Sequence, residues 1–219
     1  MIQSNKMNQV RIETTLQKLF PNAETELNFE NNYQLLISVV LSAQTKDVSV
    51  NKVTKILFNK YKNYRELSSA KLNDVESILK TIGLYKTKAR NIISLSKKVV
   101  SLHNSNTPRS REDLENLPGV GRKTANVVLS NGFNIPAIAV DTHVQRVSKR
   151  LGIADFKDNI YVVEKKLMNY FPKNKWKTVH NQMIFFGRYH CKSINPNCTN
   201  CPFYDFCKYD KKIKPIDKE

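Results

Sequence analysis

Four cysteines crowd the last 29 residues as Cys191-x6-Cys198-x2-Cys201-x5-Cys207. Thiolates gathered in this way bind a metal centre, either zinc or an iron-sulfur cluster, and both accept four cysteine ligands. Zinc sites commonly use two close Cys-x2-4-Cys pairs, whereas only one spacing here is that tight, so spacing leaves the choice open. His190, next to the first cysteine, reads as a bystander because four thiolates already complete either site. Redox chemistry is not demanded of the centre, since a metal can serve as a clip for a short irregular segment.

The second stretch that could do chemistry is Leu117-Pro118-Gly119-Val120-Gly121-Arg122-Lys123-Thr124-Ala125-Asn126-Val127-Val128. Gly119 and Gly121 lack a Cβ, so the backbone between them is free to take φ > 0 and to come close to a ligand. Turns of this kind aim successive N–H groups in one direction, and the helix that follows opens with unpaired N–H groups of its own. Together these form a site for a phosphate oxygen. Lys123 falls in the first turn of that helix, and Val140-Asp141-Thr142-His143 places a carboxylate eighteen residues beyond it. The hairpin is thus read as gripping a nucleic-acid backbone on which an amine and a carboxylate act.

Composition agrees with a polyanionic partner. Thirty-six Lys and Arg against 19 Asp and Glu give a net charge of +17, which favours nucleic acid through counterion release. At 219 residues with 40% hydrophobic and 25% charged content, the chain is globular and long enough for a sizeable core. The longest apolar run, Leu35 to Leu41, is far too short to span a bilayer, so no membrane partner is expected. The N-terminus lacks the apolar stretch of a secretory signal, which places the chain in a reducing cytoplasm where disulfides do not persist. No association stripe is evident, so a monomer is expected.

The elements that must position these residues read as helices throughout. Val10 to Phe20 spaces Ile12, Leu16, Leu19 and Phe20 on one face, and Pro21 closes it. Tyr33 to Ala43 is evenly apolar and reads as buried. Asp47 to Tyr61 repeats the helical period through Val50, Val53, Ile56 and Leu57. The stretch Leu79 to Ala89 resembles the glycine hairpin when Gly83 is laid on Gly119, which makes it a degenerate second copy flanked by the positive charge of Lys86, Lys88 and Arg90. Ser110-Arg111-Glu112-Asp113 has the spacing of a capping box, with Leu114 and Leu117 on the buried side. Asn131-Gly132 and Pro136 mark a break taken as a domain crossing. Asp141 then caps a helix with Val144, Val147 and Leu151 on one side and Arg146, Lys149 and Arg150 on the other. A last helix groups Ile160, Val163, Leu167 and Phe171 before Pro172. The fold class is all-α.

Taken in order, Leu41-Ser42-Ala43-Gln44, Ile82-Gly83-Leu84-Tyr85, Leu117 to Val128, Ala139 to His143, Gly187-Arg188-Tyr189 and the 6-2-5 cysteine spacing resemble the endonuclease III family of base-excision repair enzymes, from about Val10 to Cys207. The resemblance implies two helical lobes with a DNA-binding cleft: residues 25–135 as a central domain carrying the helix-hairpin-helix, and residues 1–24 with 136–219 as a second domain. It also implies a [4Fe-4S] cluster on Cys191, Cys198, Cys201 and Cys207. The implied activity is that of a DNA glycosylase and abasic-site lyase, removing oxidised or ring-damaged pyrimidines from double-stranded DNA and cutting at the abasic site. By the same carry-over Lys123 is the nucleophile and Asp141 the second catalytic residue, and Gln44 and Leu84 fill the gap left by an everted nucleotide. Gly119, Val120, Gly121, Arg122, Thr142 and Arg188 are expected at the DNA. The chain would then be a cytoplasmic, nucleoid-associated protein. Phe186 departs from the family, many of whose members have histidine there, and its bulk is expected to bear on the damage spectrum. The related adenine mismatch branch relies on a glutamate before the first motif, but here no acidic residue occurs between Glu30 and Asp47.

Overall fold

The computed structural model describes residues 2–213, with side chains from residue 6 onward. Among the described residues every regular element is helical, and no helix is long and apolar enough to cross a membrane. The chain divides into two compact units, one of Glu26–Ile135 and one of Met1–Thr25 with Pro136–Glu219.

In the 26–135 unit, α2 (Asn32–Leu41) starts where the Asn31 side chain accepts from the Gln34 N–H, and it is buried along most of its length. It packs on α3 (Asp47–Lys60), α6 (Tyr85–Leu102) and α8 (Arg122–Phe133). The short α4 (Tyr64–Ser68) and α5 (Leu72–Leu79) lie against α6. Leu35, Leu36, Leu57, Leu67, Leu79 and Ile92 are fully buried, each contributing about 1.5–3 kcal/mol by leaving water. The Tyr33 hydroxyl donates to the Tyr61 carbonyl at 2.8 Å while its ring meets Tyr64 edge-on, so this core satisfies its own polar group. Two expectations change here. Ile56 is largely exposed rather than on the buried face of α3. Asn131 and Gly132 do not break the chain. They lie inside α8, and Gly132 is small because a Cβ there would collide with Asn32 and Leu35 of α2. The helix ends one turn later than the sequence suggests, at Asn134, which adopts a left-handed φ of 52° before Pro136.

The other unit gathers α1 (Ile2–Leu19), α9 (Thr142–Arg150), α10 (Ile160–Tyr170) and α11 (Trp176–Phe185), followed by a π-helical turn over Phe186–His190 and the cysteine loop. Ile12 and Leu16 of α1 enter its core with Val144, Val147, Val163, Leu167 and Phe186. α1 begins well before Val10, and Leu19 is exposed rather than buried. Ile160 likewise faces outward at the start of α10. Arg11 pins α1 to the cysteine loop: its guanidinium pairs with Asp205, donates to the Pro202 carbonyl at 2.7 Å and covers the Phe206 ring. A larger revision concerns α9. Arg150 is not on a solvated face but buried, because its guanidinium is consumed by the cysteine loop.

Candidate functional site

The glycine hairpin is built outward from a buried base. α7 (Arg111–Glu115) is capped as its spacing predicts, with Ser110 Oγ accepting from the Asp113 N–H at 3.0 Å. Leu114 and Leu117 anchor it, and the Val120 N–H closes the turn onto the Leu117 carbonyl at 3.1 Å. Val120 points its side chain inward, so it presents only backbone to any ligand. Gly119 has φ +78°, the left-handed region where a side chain is strained, and a Cβ there would meet Asn91 of α6 at 2.9 Å. Gly121 differs from expectation. Its backbone is extended, at φ −104° and ψ 179°, and a Cβ on it would meet nothing within 4 Å. Only Gly119 is therefore required by conformation; Gly121 leaves open space on the outer side. Gly121 is also the N-cap of α8 and supplies no side-chain acceptor, leaving the first-turn N–H groups to partners from outside the helix. Arg122 and Lys123 stand at that end, with Lys123 exposed. Arg111 Nε donates to the fully buried Asn126 Oδ1 at 2.9 Å, tying α7 to α8.

The second hairpin joins α5 to α6. It shares the helix-turn-helix plan, but the left-handed residue is Leu84, at φ 58°, and not Gly83. Leu84 is exposed, as is Gln44, which has φ 53° in the turn after α2. Non-glycine residues held at positive φ cost about 1–3 kcal/mol each and concentrate at functional sites. Both residues expected to fill a gap in the duplex thus carry a strained backbone and a solvent-facing side chain. Lys86 and Arg90 are exposed, but Lys88 is buried and does not add to the surface charge.

Asp141 caps α9, its Oδ1 accepting from the Val144 N–H at 2.8 Å, with Thr142 exposed beside it. Asp141 belongs to the unit completed by residues 1–25, whereas Lys123 belongs to the 26–135 unit. Within its unit Asp141 has His143 and Arg146 on the same helix. The guanidinium of Arg146 donates to the Gly187 carbonyl at 2.8 Å, to the Cys191 carbonyl at 3.0 Å and to His143 Nδ1 at 3.2 Å. Burial holds the His143 pKa below its usual range, and Arg146 and Arg188 act in the same direction against the opposing pull of Asp141 and of a hydrogen bond to the Gly187 backbone. Gly187 is required by proximity, since a Cβ would lie 2.8 Å from that of His143. Arg188 is half-buried on the same π-helical turn. Phe186 is a core residue: it stacks on His190 at 4.8 Å and meets Phe203 edge-on.

The four cysteines are brought together. Cys191, Cys198, Cys201 and Cys207 line one pocket with His190, Arg150, Tyr204 and Tyr209. Burial pushes the Cys201 thiol up to about 11, and Cys191, Cys207 and Cys198 each add to the rise, so all four sulfurs interact. Among the described residues, no three His, Cys, Asp or Glu side chains converge closely enough to hold a single ion. Arg150 donates to Cys191 Sγ at 3.3 Å and to the Lys192 carbonyl at 2.8 Å, while its guanidinium lies 3.8 Å from the centre of the Tyr209 ring. Lys212 Nζ donates to the carbonyls of Tyr204 and Cys207. Sequence reasoning missed Arg146 and Arg150 because i, i+4 arginines on an amphipathic helix look like an ordinary solvated face.

Residues 37–173 match the HhH-GPD superfamily of base excision DNA repair proteins. The chain is 49% identical to endonuclease III of Bacillus subtilis strain 168 over 209 residues, covering 94% of this chain and 95% of that protein. It belongs to the endonuclease III family. Endonuclease III of Escherichia coli K12 is 43% identical, with 95% of this chain and 99% of that one covered. Among solved structures, a trapped endonuclease III–DNA covalent intermediate matches with a TM-score of 0.90 at 48% identity, covering 93% of this chain and 95% of that chain. Membership in this family fits the helix-hairpin-helix on α7 and α8 and the all-helical architecture.

Proposed function

We propose that the chain is a bifunctional DNA glycosylase and abasic-site lyase of base-excision repair, in which Lys123 is the nucleophile. The observation that carries this is an exposed lysine in the first turn of α8, directly after a hairpin whose helix N-terminus is left without a side-chain cap. The likeness to a covalently trapped relative supports the same chemistry. DNA is the partner: the hairpin N–H groups at Gly119 and Gly121, with Arg122, take a backbone phosphate, and Thr142 and Arg188 are further DNA contacts.

A target base inside the stack is out of reach, so it is everted at a cost of a few kcal/mol that is smallest for a damaged or mismatched pair. Gln44 and Leu84 occupy the space it leaves, an apolar wedge being an established way to unstack a duplex. The Lys123 amine attacks C1′ of the deoxyribose and the base departs with its bonding electrons. The amine then loses its proton to Asp141, whose carboxylate also stabilises positive charge on the sugar. The deoxyribose ring then opens, the C1′–O4′ bond breaking with its electrons to O4′, which takes up a proton; the imine so formed acidifies the C2′ proton, and loss of that proton expels the 3′ phosphate by β-elimination. A water nucleophile would release the base but form no imine, so the strand cut requires the amine. The substrate class we assign is oxidised or ring-damaged pyrimidines in duplex DNA, acted on by a cytoplasmic monomer.

The cysteine pocket suits a [4Fe-4S] cluster. All four thiols line one cavity, and four cysteines are the ligand set that such a cluster takes. A polynuclear cluster fills that kind of space. When bound it supplies four covalent anchors for an irregular loop, and Arg150, Lys212 and Arg11 hold the same loop from outside.

Reduction with borohydride in the presence of duplex containing an abasic site tests this reading. Wild type should become covalently linked to the DNA, and Lys123→Ala should bind without linking. A wild type that binds well yet gives no adduct would leave a docking protein and remove the lyase.

A further inference from the structure

Among the described residues, no carboxylate contacts the buried Lys88. It is 4% exposed, and its Nζ donates to Thr45 Oγ1 at 2.6 Å across 43 residues of chain. Burial alone holds its pKa below the usual lysine value. An ammonium placed in a core costs free energy, and nothing in the chemistry above uses it.

Its position explains the expense. One turn before it, at the N-cap of α6, the carbonyl of Leu84 accepts from the Lys88 N–H at 3.0 Å, and Leu84 is the left-handed residue of the second hairpin. At its other end the amine holds Thr45, the neighbour of left-handed Gln44. The Thr45 hydroxyl in turn reaches the Ala43 carbonyl at 3.4 Å, and the Thr45 N–H closes onto the Ser42 carbonyl at 3.0 Å. The contacts run from Lys88 through Thr45 to Ala43 and so bracket Gln44 on both sides. Lys88 thus joins the two strained turns. Resting on the function proposed above, we infer that Lys88 is a positioning residue, whose amine latches the Thr45 turn so that Gln44 is held ready in its left-handed conformation beside Leu84.

Released from the latch, Gln44 would relax toward an unstrained backbone and would have to be reordered on each encounter with a gapped duplex. Affinity for gapped DNA should then fall relative to intact DNA by about tenfold, the size a single strained backbone position supports.

The measurement is the ratio of affinities of the full chain for two duplexes, one carrying a tetrahydrofuran abasic-site analogue and one undamaged. Lys88→Met keeps the apolar stem and removes the amine; Thr45→Val removes the acceptor and Thr45→Ser restores it. Lys88→Met and Thr45→Val should each lower the ratio about tenfold, their double variant no further, and Thr45→Ser should stay near wild type. In a Gln44→Ala background Lys88→Met should have no additional effect, which a general loosening of the fold would not reproduce. Melting curves of each variant show that it is folded. An unchanged ratio in Lys88→Met, or an equal drop with and without Gln44, would overturn the latch. A wild type with no preference for the analogue would instead overturn the function on which it rests.

Discussion

Gly119→Ala isolates the one position in the hairpin that the backbone itself demands. Two terms oppose the substitution. A non-glycine residue in the left-handed region costs about 1–2 kcal/mol. The new methyl also lies 2.9 Å from Asn91 Nδ2 and 3.2 Å from Asn91 Cβ, and the second of these atoms is not the free end of a side chain that can swing away. Such overpacking adds about 1–2 kcal/mol. The total of about 2–4 kcal/mol corresponds to a drop in Tm of about 5–15 °C for a chain of this length. Thermal melts of the wild type, Gly119→Ala and Gly119→Ala with Asn91→Ala separate the two terms. Asn91→Ala removes the Nδ2 and Cγ contacts but neither the Cβ contact nor the φ, so it should recover less than half of the loss. A Gly119→Ala protein that melts within about one degree of wild type would refute the reasoning. Full recovery by Asn91→Ala would refute the part that rests on φ.

Gly121→Ala should behave in the opposite way. Its extended φ suits alanine and its Cβ meets open space, so stability should hold or rise by a few tenths of a kcal/mol while DNA affinity falls, as fluorescence anisotropy would show; unchanged affinity would remove the phosphate cradle. His143 carries a sign-definite pH dependence. Burial lowers its folded pKa, so the unfolded chain takes up the proton first, and stability complete above about pH 6.5 is lost as pH falls below it. Melts at pH 7.5 and 5.5 should show a smaller loss for His143→Gln than for wild type, with Asp141, Arg146 and Arg188 unchanged around it. An equal loss would place the effect elsewhere. Cys201→Ala should abolish bound iron and acid-labile sulfide on chemical assay and lower Tm, because the loop then loses an anchor; retention of both would argue against the cluster.

Much of the fold was legible in the sequence because helical periodicity and capping are local. Ser110 and Asp141 cap helices as their spacing indicates, and Leu114, Leu117, Val144 and Val147 are buried for the reason their period suggests. The family motifs, taken in order, also identified the hairpin and the cysteine cluster. What escaped were residues whose role depends on what lies across the fold. Gly132 belongs inside α8 because α2 passes close to it, and no local rule distinguishes that from a break. Arg150 turns inward because the cysteine loop offers it a sulfur and a carbonyl, and Lys88 because a threonine 43 residues away accepts its amine. Whether Gly83 or Leu84 takes the left-handed conformation was likewise decided by tertiary structure. Local backbone energies set where helices start and which residues seek the core. A long polar side chain has many positions of similar energy, and only the partner supplied by distant sequence chooses among them.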